Sequence, residues 1–265
     1  MFNQLKEQAS KLGQQAAQGA TSIGQQASTY GQQAARGVST FAENNNINTP
    51  GTGSLADSSA KAARILQAFL EKEEVENGFD NVIPVKVIQE AKGLAIFTVI
   101  KAGFLWSGKM GNGIVVSRLP DGRWSAPSAI ATGGVGFGFQ AGADFTDVVL
   151  ILNSDEAVDA FKTKGNLTLG GDLGVSLGPL GGGGSYSGTS ASGQVVPLFS
   201  YTKSKGLFAG ISVEGTGLFE LTQSNTDFYG RTIKAEEILR GDVEPPNDSK
   251  PLYDAIKLAE SRDPY

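Results

Sequence analysis

Cysteine and histidine are both absent from these 265 residues. No disulfide framework, thiol nucleophile, imidazole base or zinc site of the usual kind can be built without them. Most hydrolase and redox mechanisms go with them, and nothing in the composition implies a cofactor. Aromatic residues are scarce, at 8%. No run approaches the roughly 18 uncharged apolar residues of a spanning helix, and Met1 is not followed by a basic, apolar and small-residue leader. A cytosolic protein is expected. A basic excess is missing too: 22 Lys and Arg stand against 27 Asp and Glu, a net charge of -5. That balance argues against nucleic acid as a partner, because a surface that tracks phosphates carries a basic surplus.

Glycine is abundant: 36 residues, about twice the ordinary usage of roughly 7%. The 40% apolar residues suffice for a core. The acidic surplus lies entirely after residue 110, so contact with an acidic partner is expected in the first 110 residues.

Residues 1–43 form a Gln/Ala/Gly-rich segment in which GQQA recurs at 13–16, 24–27 and 31–34. Apolar residues from Phe2 to Phe41 recur every three or four positions, with Phe2, Leu5, Leu12, Ile23, Tyr30 and Phe41 the large ones. This is a helical stripe, weakened by five glycines that each cost up to about 1 kcal/mol in a helix. Such a segment orders on meeting an interface, and a lipid surface is one reading. A solvent-exposed, self-associating or disordered tail is the other, and both stand open. Residues 44–54, NNNINTPGTGS, read as a flexible linker.

A folded domain is expected over 55–265. Its first helix, about 18 residues from Ala56, places Ile65, Leu66, Phe69 and Leu70 on one face and Lys61, Arg64 and Lys72 on the other. Pro84 opens a second helix that stops at Gly93. Strands follow at 94–101, 113–118, 124–128 and 148–152, with Asp121-Gly122 as a tight hairpin turn. Helices are expected from Asn153 or Ser154 to Phe161 and over 252–260. In 133–144 and 166–178, apolar residues alternate with glycine, which means strands with one bare face and close backbone approach. The expected class is α+β: a Gly-rich, mainly antiparallel, curved sheet or barrel-like sandwich with flanking helices, plus the N-terminal amphipathic helix. Segments 96–116 and 198–220 resemble each other, as two facing half-domains would.

The segments KAARIL (61–66), 82–131 with GFLWSGKMGNGIVVSRLPDGRWSAPSAI, DFTDVVLILNS (144–154), NLTLGGDLGVSLGPLG (166–181) and YTKSKGLFAGISVEGTGLFE (201–220) resemble the SYLF family. Its members are eukaryotic lipid- and actin-binding proteins of endocytosis, of the Las17-binding type. The resemblance implies a non-enzymatic, peripheral module on phosphoinositide-containing or other anionic membranes, endosomal or plasma. It further implies actin filaments of cortical patches as an alternative partner, and leaves a homo-oligomer open. It carries Lys61 and Arg64 over as lipid-binding positions. Lys101, Lys109, Lys203 and Lys205 lie within the matched motifs and extend that set by inference. Trp106 between apolar neighbours adds a membrane-insertion candidate to the six residues of the N-terminal stripe. Many members end in a Src-homology adaptor domain, and no such domain follows here before Tyr265. A metal-dependent enzyme or calcium site built on Asp144, Asp147, Asp155, Asp159 and Asp172 is the remaining class, although no Asp-x-Asp-x-Asp-Gly loop is present.

Overall fold

Ser54 caps the first described helix through a capping box. The Asp57 amide donates to Ser54 Oγ at 3.2 Å and the Ser54 amide donates to the Asp57 carboxylate at 2.9 Å, so two otherwise orphaned groups are satisfied. The structure is a computed structural model describing residues 54–70, 82–164, 166–170, 184–190 and 195–263. Within these, the side chains of 104–107, 136–141, 143, 163–164, 166–170, 184–190, 195–197 and 205–215 are not described. The expected N-terminal amphipathic helix, with Phe2, Leu5, Leu12, Ile23, Tyr30 and Phe41, lies outside the described residues.

The elements in order are α1 (Leu55–Ala68), α2 (Val85–Glu90), β1 (Gly93–Ser117), β2 (Ser128–Leu152), α3 (Asp155–Lys164), β3 (Asn166–Gly170), β4 (Gly184–Ser190), β5 (Val195–Glu220), α4 (Thr222–Tyr229), α5 (Ala235–Arg240), a 3-10 turn (Asn247–Ser249) and α6 (Lys250–Ser261). The class is α+β, with an antiparallel sheet of order β1-β2-β5-β3-β4 that is open among the described residues. Where five separate strands are expected between 94 and 152, the chain makes two of 25 residues each. The segment at 124–128 contributes a single bridge, Arg118 to Trp124, around the Asp121-Gly122 turn, whose glycine sits at φ 86°.

A 25-residue strand laid straight would run about 80 Å, several times the radius of a domain this size. The long strands therefore bend. An ideal Cβ at Gly113 would lie 2.1 Å from the Ile96 carbonyl oxygen, and one at Gly111 would lie 2.2 Å from that of Thr98. The second half of β1 thus presses its glycine face onto the backbone of the first half, with the register irregularity at Phe104/Trp106 marking the bend. The amide of Arg118 donates to Lys92 O at 2.8 Å and holds the two ends together. β2 follows β1 on either side of that irregularity and β5 follows β2 residue for residue, so the sheet has first halves (93–104, 141–152, 198–209) and second halves (106–117, 128–137, 211–220).

Two cores result. Inside the fold, Phe97, Val99, Val148 and Leu198 from the first halves meet Val115, Ile130 and Leu218 from the second, closed off by Phe161 of α3 and Leu239 of α5. Outside, Ile96, Val149, Ile151 and Tyr201 pack under α1 and α6 through Ile65, Leu66, Leu252 and Ile256. The similar segments 96–116 and 198–220 prove to be β1 and β5, flanking β2 on its two sides, and not two half-domains.

Candidate anion-contact surface

Helix α1 carries Lys61 and Arg64 three residues apart, which sets them on adjoining faces of one turn. All its large apolar side chains, Leu55, Ile65 and Leu66, are consumed by the core, so the helix retains charge and no apolar face for an external surface. Arg64 is exposed. Lys61 is half-buried, and its ammonium is pulled down to about 8, chiefly by burial and least by Arg64, against the opposing pull of Asp147.

Asp147 lies on the sheet face beneath α1. It pairs across the ladder with Thr98 of β1 and Lys203 of β5, and Thr98 Oγ1 donates to its carboxylate at 2.5 Å. Lys203 reaches the C-terminal end of α1: its Nζ donates to Ala68 O at 2.5 Å and stands 5.4 Å from the Phe69 ring centre. A cation there satisfies a carbonyl the helix leaves orphaned and opposes its dipole. Below it, burial pushes the Tyr201 phenol up to about 12. Lys61, Arg64 and Lys203 are thus three cations gathered about α1 and the Asp147 carboxylate.

The other sequence-derived positions do not join them. Strand alternation places Lys101, in register with Asp144, on the inner face of the sheet. Lys109 is on the inner face as well, and buried. Trp106 and Lys205 hold strand positions opposite Phe137 and Phe145, and their side chains lie outside the described set. Asp144 and Asp147 point to opposite faces of β2, Asp155 and Asp159 belong to α3, and Asp172 lies outside the described residues. Among the described residues no group of three acidic side chains could hold a metal ion.

Sequence reasoning missed the anchoring role of Asp147, which becomes visible only once the register brings Thr98 and Lys203 beside it. It also missed a clasp made by Arg118. That guanidinium donates to Ala91 O at 2.9 Å, Ile88 O at 3.0 Å and Glu260 Oε1 at 2.6 Å, and lies 4.3 Å over the Trp124 ring. Trp124 Nε1 donates to the same carboxylate at 3.3 Å. The RLPDGRW motif therefore binds α2 and α6 to the β1–β2 turn.

Residues 133–259 match the family described as Ysc84, Las17-binding protein actin regulator. LAS seventeen-binding protein 3 of Saccharomyces cerevisiae is 48% identical over 216 residues, covering 82% of this chain and 46% of the yeast protein. Protein YSC84 of the same yeast is 48% identical over 216 residues, covering 82% and 45%. The human SH3 domain-containing YSC84-like protein 1 is 49% identical over 210 residues, covering 79% and 60%. The chain spans about half the length of the yeast relatives and three fifths of the human one. No solved structure matches it.

Proposed function

This chain belongs to the Ysc84 (SYLF) family, and we propose that it is a non-enzymatic module that settles on anionic, phosphoinositide-bearing membranes at sites of actin regulation. The observation that supports this most is the gathering of Arg64, Lys61 and Lys203 at α1 in a chain whose overall charge is negative. Each basic side chain near an anionic leaflet contributes about 1 kcal/mol, so a few suffice for weak, reversible adhesion. Because α1 surrenders its apolar face to the core, this contact is electrostatic. Insertion falls to the N-terminal stripe with Phe2, Leu5, Leu12, Ile23, Tyr30 and Phe41, and to Trp106. Two weak signals add to a stable attachment.

Vesicle flotation tests this reading. The full chain is expected to float with vesicles containing anionic lipid and to stay behind with neutral ones. Removal of residues 1–43 should leave partition that salt abolishes. Equal flotation on both vesicle types, with and without the segment, would refute it.

The names of the yeast relatives and of the family support a second reading, in which the chain contacts the actin machinery through a Las17-like protein or filaments directly. Co-sedimentation with filaments over a salt series measures this, and absence of pelleting at low salt removes the filament version. An endocytic, cortical location follows from either reading.

A further inference from the structure

The outer face of the sheet is covered along only part of its length. In the second halves of the strands Ile114, Val116 and Ala129 lie in the core beneath the helices, and the apolar cover stops there. Further toward the bend the face is open: Met110 is 66% exposed, Val135 72% and Phe219 45%. Together with Leu258 of α6 these are the exposed large apolar side chains among the described residues. The ladder joins them. Met110 stands in register with Gly133 and Gly217, Val135 with Gly108 and Gly215, and Phe219 occupies the row before Met110. The Phe219 ring leans over Gly217, where an ideal Cβ would lie 2.4 Å from Cζ, and so reaches the row of Met110. A Cβ on Gly108 would meet nothing within 4 Å.

The polarity of this part of the sheet is inverted. An antiparallel sheet with one solvated face ordinarily turns its apolar side chains in and its polar ones out. Here the alternate positions Lys109, Thr132 and Thr216 are buried, while Met110, Val135 and Phe219 stand outside. Four successive rows of the outer face, from Asn112 to Trp106 on β1, hold no Asp, Glu, Lys or Arg on β1, β2 or β5, in a chain with 18% charged residues. By register the row nearest the bend consists of Trp106, Phe137 and Val213. β2, at the centre, has a strand on each side, so its backbone donors and acceptors are spent in the ladder and the face can meet an apolar medium without orphaning them. Size decides between a protein partner and a bilayer. Four rows span about 20 Å along the strands and three strands about 14 Å across, roughly 300 Å², against about 800 Å² a side for a stable dimer. A lipid leaflet sets no such minimum, because shallow burial of a few side chains adds to whatever charge attraction brings the protein there.

We infer that this bare outer face, with Met110, Val135 and Phe219 at its centre, enters the headgroup and acyl boundary of a lipid bilayer. The inference rests on the membrane reading above and names the place where the folded domain goes in. Three side chains bury less than a single acyl chain, whose own binding is marginal. The face therefore reinforces the cations of α1 without replacing them, and salt still releases the folded domain.

The chain has no cysteine, so a single one places a probe at a chosen position. Full-length Val135→Cys, and Leu258→Cys as an exposed apolar site on α6, are labelled with an environment-sensitive dye. Each is mixed at low salt with phosphatidylcholine vesicles with and without phosphatidylserine and a phosphoinositide. Emission from position 135 is expected to rise at least about twofold on the anionic vesicles and to be quenched by a nitroxide in the upper acyl chain, while emission from position 258 stays level. The unlabelled variant Met110→Gln/Val135→Thr keeps the net charge and a β-branched residue on β2, so its Tm should stay within about 2 °C of the parent while partition onto anionic vesicles falls about tenfold. A parent that partitions onto anionic vesicles with the dye at 135 unresponsive, or a double variant that partitions as the parent does, overturns this face and leaves the membrane reading standing. A parent that partitions onto no vesicle removes both. Emission from position 135 that rises with protein concentration in the absence of lipid assigns the face to a second copy and overturns the bilayer assignment.

Discussion

Gly113 has no room for even a methyl group, because a Cβ there would collide with the Ile96 carbonyl oxygen and, at 2.5 Å, with the Phe97 Cα. Both obstacles are backbone, so neither can swing aside. Gly113→Ala is expected to cost at least about 3 kcal/mol, lowering Tm by roughly 6–12 °C in a domain of this size. Gly108→Ala, five residues earlier on the same strand and facing open space, should change Tm by less than about 2 °C. A melting comparison of the two checks the folding-over of β1. The sequence shows that glycines fill one face of the strands, and so that close approach is possible. It does not show what approaches, since the neighbour is the same strand a dozen or more residues earlier.

Lys61 supplies a second residue-scale expectation. Its folded-state value, near 8, lies below the ordinary lysine value of 10.5, so between those limits the unfolded chain binds more protons than the folded one. Stability attributable to Lys61 therefore rises as pH climbs from about 8 to about 10.5, while Tyr201, whose phenol is held up to about 12, contributes a separate loss above about 10. Melts between pH 7.5 and 9.5 should show a gain in the parent that is absent from Lys61→Met. The same titration removes a positive charge from α1 above about pH 8.

At the scale of elements, α1 and α6 are held by different devices. Ser54, read in the sequence as the end of the linker, caps α1 through its box with Asp57, and the expected helix and the observed one share all but their ends. Arg118 was not legible in this way: its partners come from residues 88, 91, 124 and 260, far apart in the chain and joined only by the fold. Arg118→Ala removes the guanidinium from the Ala91 and Ile88 carbonyls and from the Glu260 carboxylate, which keeps the weaker bond from Trp124 Nε1. A loss of about 2–4 kcal/mol in denaturant unfolding is expected, and Arg118→Lys, which has no fork, should recover little of it. Helices α4 and α5 escaped notice in the sequence because each is short, although the glycines ending them, Gly230 and Gly241, both take left-handed conformations.

For the whole molecule, alternation of apolar residues with glycine made the curved antiparallel sheet readable, and the amphipathic first helix made its helical cover readable. What could not be read was which charges share a surface. Lys61, Arg64 and Lys203 converge because β5 lies beside β2 and runs beneath α1, whereas Lys101 and Lys109, no less basic, turn inward by strand alternation. Among the described residues no helix is long and apolar enough to cross a membrane, and the large apolar side chains of α1 are committed to the core. In the proposed membrane contact, adhesion by the folded domain through α1 is thus a matter of a few cations. The most direct measurement is the partition of Arg64→Glu and its parent onto vesicles with and without anionic lipid at low salt. Reversing this exposed charge should weaken binding to the anionic vesicles by roughly tenfold without changing Tm. Unchanged partition of a folded Arg64→Glu protein would contradict the account.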